Sequence, residues 1–488
     1  MKTIATATLP DNVQLPQYDR QQLRSRIVHF GFGAFHRAHQ ALLTDRVLNA
    51  QGGDWGLCEI SLFSGDVLMS QLRAQDHLYT VLEKGADGNQ PIVIGAVNEC
   101  LNAKLDSLAA IIEKFCEPQV AIVSLTITEK GYCIDPATGR LDVTQPRIVH
   151  DLENPSEPHS APGILVEALH RRRERGLTPF TVLSCDNIPD NGHVVKNAVL
   201  GMANKRSPEL AQWIAEHVSF PGTMVDRIVP AATEESLAEI EAAIGVNDPC
   251  AISSESFIQW VIEDHFVAGR PDWEIAGVQM VSDVLPWEQM KLRMLNGSHS
   301  FLAYLGYLAG YEHISDCMQD DDYRRAALRL MMHEQAPTLR ITGVDLQAYA
   351  DSLIDRFTNP ALKHRTWQIA MDGSQKLPQR MLEGIRLHLQ RESDWPLLAL
   401  GVAGWMRYVS GTDERGNAID VRDPLADKIQ SLVANSSDND RVTALLTLSE
   451  IFGTDLPQNA AFVSQIQHAW QRLTNEGARQ AIISILNL

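Results

Sequence analysis

The chain has 488 residues, 42 of them Lys or Arg and 61 Asp or Glu, for a formal net charge of −19. Hydrophobic residues make up 44% and charged residues 21%, a globular composition that excludes a disordered, fibrous or disulfide-dense chain. The acidic balance excludes a broad nucleic-acid footprint, which needs a Lys/Arg stripe to displace phosphate counterions, and the length predicts two large domains or three ordinary ones.

Seven cysteines (Cys58, Cys100, Cys116, Cys133, Cys185, Cys250 and Cys317) are scattered without a C-x-x-C pair. That pattern suggests neither a disulfide framework nor a thiolate zinc site, and reads as reduced thiols in a cytosolic protein. Residues 1–26 contain no apolar core of signal-peptide length, and the longest uncharged apolar stretch, 300–311, is too short to span a bilayer. A soluble, cytoplasmic protein with neither a membrane nor a nucleic-acid partner is expected.

In chain order, the first apolar run, 27–30, is a strand candidate that leads into Gly31-Phe-Gly33-Ala-Phe-His36-Arg37 and a helical pattern over 35–50. Glycines there allow a tight turn at Gly31 and a close approach for a pyrophosphate at Gly33, and a helix N-terminus beyond offers unpaired N–H groups to that anion. The third glycine of the dinucleotide fingerprint is His36, so the motif is incomplete, and an ordinary strand-to-helix turn would read the same way. The next strand candidate, 55–63, runs into Ser64-Gly65-Asp66. An acidic residue there would accept hydrogen bonds from the adenosine ribose and repel a 2′-phosphate, pointing to NAD over NADP. Asp66 is the candidate and Glu59, in mid-strand, the alternative; a solvated loop carboxylate is the plainer reading of Asp66.

A helix over 105–115, a strand over 120–127, a proline-rich loop over 151–162, a helix over 164–175, a strand over 180–185 and an extended run near 223–229 follow. Strand, crossover helix, strand is the grammar of a parallel, doubly wound sheet. After about residue 286 nearly every segment reads helical, including 323–334, 346–357, 379–390, 440–451 and 461–473. The prediction is an α/β Rossmann-like domain with a mostly parallel sheet over 1–280 and an all-α domain over 281–488.

The helical half opens on Pro286-Trp-Glu-Gln-Met-Lys291-Leu-Arg-Met-Leu-Asn296-Gly-Ser-His299, with proline at a first helical position. On an α-helix, at about 100° per residue, Asn296 lies roughly 140° and His299 roughly 80° from Lys291, one broad face. A lysine, an amide and an imidazole beside Met290, Met294 and Leu295 make an acid–base site if buried, and a solvated polar face if not. A lysine acts as a general base near neutral pH only where burial or nearby positive charge brings its pKa down from about 10.4.

Together these residues resemble the mannitol dehydrogenase family, the polyol-specific long-chain dehydrogenases/reductases. The family signature K-x4-N-x2-H is matched by Lys291, Asn296 and His299, and its companion asparagine by Asn187 in Ser184-Cys-Asp-Asn187. Thr126-Ile-Thr-Glu129 and Asp372-Gly-Ser-Gln-Lys376 match further blocks, and the resemblance runs from Arg26 to beyond Arg407. Within the family the chain is most similar to the hexuronate branch, the fructuronate reductases or D-mannonate oxidoreductases, through blocks such as FPGTMVDRIVPA and RTWQIAMDGSQKLPQR.

The resemblance implies NAD as cofactor, held at Gly31, Phe32, Gly33, Ala34, Asp66 and Thr126. It implies Lys291 as general acid/base, Asn187 and Asn296 as an oxyanion hole, and His299 hydrogen-bonding the reacting oxygen or a neighbouring hydroxyl. Asp226, Lys376, Lys130 and Gln368 fall at substrate-pocket positions. Two of these depart from the mannitol enzymes: Lys130 stands where they carry glycine, and Gln368 where they carry a substrate-contacting arginine. Lys130 adds a cation for a sugar-acid carboxylate, whereas the loss of the arginine removes one. The implied reaction moves hydride between nicotinamide and a ketose or secondary alcohol of a sugar acid, without a metal. D-Fructuronate/D-mannonate is the first choice; tagaturonate/altronate and mannitol/fructose are the alternatives. A catalytically silent NAD-binding sensor is the reading from another class, and the intact Lys291, Asn296, His299 and Asn187 set argues against it. The expected partner is the small-molecule substrate, and a monomer is the expected state.

Overall fold

The computed structural model describes residues 2–85, 87–136 and 138–487. The chain divides into two compact units, one running to Leu285 and one beginning at Pro286. Among the described residues no helix is long and apolar enough to cross a membrane, and all seven cysteines are free and buried.

The first unit is built on five strands: β1 (Arg24–Phe30), β2 (Trp55–Ser61), β3 (Val97–Asn102), β4 (Ile122–Leu125) and β5 (Thr181–Ser184). They pair in the order β3-β2-β1-β4-β5, every pair parallel. A parallel sheet is covered on both faces, so its strands read as near-continuous apolar runs. Alternate residues of β1 enter opposite layers: Ile27 joins Leu42 and Leu57 on one side, and Val28 joins Ile111, Phe115 and Ile164 on the other. Each such side chain, fully withdrawn from water, contributes about 1.5–3 kcal/mol. The strand order reverses between β1 and β4, and a doubly wound sheet takes its ligands at the carboxyl ends of the strands beside that reversal.

Of two three-stranded sheets, the sequence showed only the extended run near 223–229, which is the strand Thr223–Asp226. Tyr79–Gly85 and Gly88–Ile94 form an antiparallel hairpin joined by Ile252–Glu255, and Thr223–Asp226 pairs with Gln259–Glu263, which pairs in turn with Gln279–Val281. β3 was missed as well, because Asn98 and Glu99 interrupt its apolar residues at the edge of the main sheet. The predicted helix over 35–50 is two helices, Ala34–Arg37 and Gln40–Gln51, with His39 at φ −128° and ψ −94° between them.

The second unit is helical. Ser298–Ala309 and Pro396–Val409 are buried almost all round, as expected of helices apolar on every face. Phe301, Leu305, Leu398, Trp405 and Phe462 belong to one core. Among the described residues three segments are π-helical: Lys291–Gly297, Leu330–Gln335 and Pro378–Leu382. The predicted helices over 323–334 and 379–390 thus each change winding partway, and that over 440–451 is two short helices, Arg441–Leu445 and Ser449–Phe452.

Gly31, which closes β1, has φ +102°, and a Cβ there would lie 2.2 Å from the carbonyl oxygen of Thr126 at the end of β4. Gly31→Ala is expected to destabilise the first unit by about 2 kcal/mol or more, from left-handed strain plus the clash. Denaturant unfolding of both proteins checks this, and equal stability would mean that the turn relaxes at no cost.

Candidate active site

At the carboxyl end of the main sheet the turns after β1 and β4 are laced together. The Thr126 N–H donates to the Phe30 carbonyl at 3.0 Å, and the Thr126 hydroxyl donates to the Gly31 carbonyl at 2.9 Å. A cavity of about 610 Å³ opens here. Gly31, Ser64, Thr126 and Lys130 line it, whereas Phe32, Gly33, Ala34 and Asp66 do not. A Cβ on Gly33 would meet no protein atom within 4 Å, so any requirement for glycine at that position comes from a ligand. Asp66 sits half-buried at the start of the helix Asp66–Ala74, where it accepts from Lys104 Nζ at 3.0 Å; this bond holds its carboxyl below the ordinary range.

Glu59 points the other way, which removes it as a ribose ligand. It is fully buried and shares a 2.7 Å hydrogen bond with His36 Nε2. Stacked on His36 at 3.3 Å, His29 contacts Ser124 Oγ at 2.7 Å, the Gly31 carbonyl at 3.0 Å and Thr126 Oγ1 at 2.9 Å. Burial holds the His36 pKa down to about 3 and pushes Glu59 up to about 7, so both lean towards neutrality. His29, His36 and Glu59 bring donor atoms within 4.8 Å of one another, but the His29 nitrogens and His36 Nε2 are committed to hydrogen bonds. The helix break at His39 lies within this network: His36 reaches Glu59, Arg37 the Cys250 carbonyl at 2.6 Å, and His39 the Gln259 carbonyl at 3.0 Å.

Asn187 is exposed in the loop after β5. Its neighbour Asp186 ties that loop to the one after β4, accepting from the Ile127 and Thr128 N–H groups at 3.1 and 3.0 Å and from the Tyr132 hydroxyl. Asp226 ends its strand almost buried; next to it, Arg227 donates to the Ala38 carbonyl at 2.6 Å and to the Glu255 carbonyl.

In the helical unit, Lys291 is 6% exposed and Asn296 half-buried. The winding between them corrects the α-helical angle expected from the sequence. In a π-helix residue i bonds residue i+5, and the wider winding brings Asn296 closer to the face of Lys291 than the roughly 140° of an α-helix. His299 follows on the α-helix Ser298–Ala309, with its ring stacked on Phe357 at 5.2 Å and tilted against His364 at 5.4 Å. Its Nε2 is buried without a hydrogen-bond partner. Desolvation, together with His364, Arg380, Arg356 and Lys376, holds its pKa well below the ordinary value. Lys376 donates to the carbonyls of Ile369 and Met371 at 3.1 and 2.5 Å, and burial brings its pKa down to about 8. Gln368, by contrast, is exposed on the short helix Thr366–Ala370.

Comparison with known proteins decides the family. The Mannitol dehydrogenase Rossmann domain matches residues 25–275, and the Mannitol dehydrogenase C-terminal domain matches residues 283–474. The chain belongs to the mannitol dehydrogenase family. It is 79% identical to the uncharacterized oxidoreductase YeiQ of Escherichia coli (strain K12), with 100% of both chains covered. It is 58% identical to the D-mannonate oxidoreductase of the same organism, over 99% of this chain and 100% of that one. Among solved structures, Pseudomonas fluorescens mannitol 2-dehydrogenase, in a ternary complex with NAD and D-mannitol, is 40% identical, with a TM-score of 0.82 and 98% of each chain covered.

Several residues of this mannitol dehydrogenase family member escaped the sequence reading. Arg147 and His159 line the sheet-end cavity and flank Phe63, at 5.6 and 5.3 Å from its ring. In the helical unit Arg380 donates to the Asn296 carbonyl at 3.3 Å and to Ser300 Oγ at 3.0 Å. The only signal for Arg380 was its place four residues after Lys376, on the same side of a helical turn.

Glu59 carries a pH consequence. A carboxyl raised in the folded state, here from 4.5 to about 7, stabilises the fold fully below 4.5 and loses that contribution as pH climbs through 7. His36, held down from 6.5 to about 3, acts in the opposite sense, adding stability as pH rises towards 6.5, and is present in both proteins. Glu59→Gln keeps the shape and leaves no ionisable group, so the wild type is expected to lose stability between about pH 5 and pH 8 that the variant retains. Denaturant midpoints at the two pH values measure this, and identical pH dependence in both proteins would exclude Glu59 as the titrating group.

Proposed function

We propose that this chain is an NAD-dependent oxidoreductase that interconverts the ketone of a hexuronate and the secondary alcohol of the matching sugar acid, D-fructuronate and D-mannonate. The observation that carries the reading is the π-helical segment that holds a buried Lys291 and Asn296 together. Its substrate half is supported by the 58% identity to a D-mannonate oxidoreductase, and its cofactor half by the likeness to a mannitol 2-dehydrogenase bound to NAD.

The sheet order, the side-chain-free turn at Gly31 and the open space over Gly33 fit a dinucleotide. Gly31, Phe32, Gly33, Ala34 and Thr126 would hold it, with Asp66 on the ribose hydroxyls and Lys130 adding positive charge from the cavity wall. NAD(H), when bound, supplies or accepts the hydride at the carbonyl carbon. Lys291 gives a proton to the oxygen as ketone becomes alcohol and takes it back in the reverse direction. The side-chain amides of Asn296 and Asn187 donate to the developing alkoxide, where fixed donors act most strongly on the transition state. His299 hydrogen-bonds the same oxygen or its neighbouring hydroxyl, and Asp226 and Lys376 hold the rest of the sugar.

The test is NADH and NADPH oxidation measured side by side with D-fructuronate, D-tagaturonate and D-fructose. D-Fructuronate with NADH should give the highest kcat/KM; a preference for D-fructose would overturn the sugar-acid reading. Lys291→Ala is expected to lower turnover about 10²–10⁴-fold while NADH binding, followed by fluorescence, persists. Wild-type-like turnover would remove Lys291 from the mechanism.

A further inference from the structure

The most unusual charge in the helical unit is Arg380, within the π segment Pro378–Leu382. Other arginines of the unit are paired, Arg386 with Asp455 at 2.7 Å and Arg293 with Glu383 at 3.6 Å. Arg380 has no carboxylate within ion-pair distance among the described residues. Its partners are the two neutral oxygens of Asn296 and Ser300, and its Nε is buried with no acceptor. The Tyr304 hydroxyl, close enough to act on it electrostatically, is likewise buried without a partner. A half-buried guanidinium with no carboxylate beside it is costly, and proteins keep one where an anion is to be received. Burial brings the Arg380 pKa down to about 10, the direction expected where no anion compensates the charge.

The surroundings carry the same sign. His299 feels Arg380, Arg356 and Lys376 together, a cationic cluster in a chain of net charge −19. Two acids act on Lys376: Asp372, exposed at the start of the short helix Gly373–Leu377, and Asp423, which is committed to the Ser374 N–H and hydroxyl at 2.8 and 2.5 Å. A planar fork beside Asn296 matches the two oxygens of a carboxylate in a way an ammonium does not.

We infer that Arg380 receives the substrate's carboxylate and is the residue that makes the helical unit select an anionic sugar over a neutral one. The inference rests on the function proposed above. It is tested in the full chain with Arg380→Gln and Arg380→Lys, each assayed with NADH and either D-fructuronate or D-fructose. The ratio of kcat/KM for D-fructuronate over D-fructose should fall roughly 30-fold or more in Arg380→Gln, mainly through KM, and recover in part in Arg380→Lys. Equal losses on both substrates would make Arg380 a support for the Asn296 backbone and overturn the inference. The wild-type enzyme gives a test free of any folding defect: D-mannonate should compete with D-fructuronate at least about tenfold better than D-mannonamide. Equal inhibition would overturn the inference even if hexuronate turnover is confirmed. A wild type that reduces neither ketose would refute the proposed function itself.

Discussion

The turn after β1 passes so close to the turn after β4 that only a hydrogen atom fits between the Gly31 Cα and the Thr126 carbonyl. Much of the first unit follows from that contact. The two turns share hydrogen bonds through Thr126, and His29, directly beneath, reaches Ser124, Gly31 and Thr126 at once. Side chains packed behind such a junction are cut off from water, so the titratable ones are pressed towards their neutral forms. His36 and Glu59 answer by sharing one hydrogen bond, made from a first helix that is one turn long. The cavity in front and the polar network behind are two sides of one crossing.

A comparable constraint organises the helical unit. π-helices account for well under about 1% of residues in globular proteins, and a mid-helix π turn often marks a functional site. Here Lys291–Gly297 packs against both of the other π segments. At Gly297 a Cβ would meet Gln335 Nε2 at 2.5 Å and the Arg380 carbonyl at 2.8 Å, one neighbour from each. The same glycine that admits these neighbours lets Arg380 reach the Asn296 carbonyl.

The doubly wound architecture was legible because buried parallel strands leave long apolar runs that alternate with helical patterns, and that signal is robust to detail. Detail failed where polarity and burial part company. β3 carries Asn98 and Glu99, so it did not look like a strand; the 35–50 segment kept helical periodicity across the break at His39, where His36, Arg37 and His39 reach separate buried partners. Glu59 and Asp66 were both candidates as text, and burial separates them: Glu59 lies within β2 and points into the core, whereas Asp66 starts the helix that follows. Lys291 and Asn296 were recognisable as a pair, yet how closely they share a face depends on five-residue bonding that apolar spacing does not encode. Arg380 was invisible for a simpler reason: a charged residue in KLPQR reads as helix surface until its partners are known.

The seven thiols, unremarkable as chemistry, divide unevenly between the units. Six lie before Leu285, and Cys317 alone belongs to the helical unit, buried against the Leu302 carbonyl. A thiol that is inert while buried becomes reactive only when its surroundings open. Alkylation of Cys317 is therefore a private clock for opening of the helical unit, and the other six keep time for the sheet. The protein carries native reporters of whether its two halves breathe together or apart, with no label to be engineered.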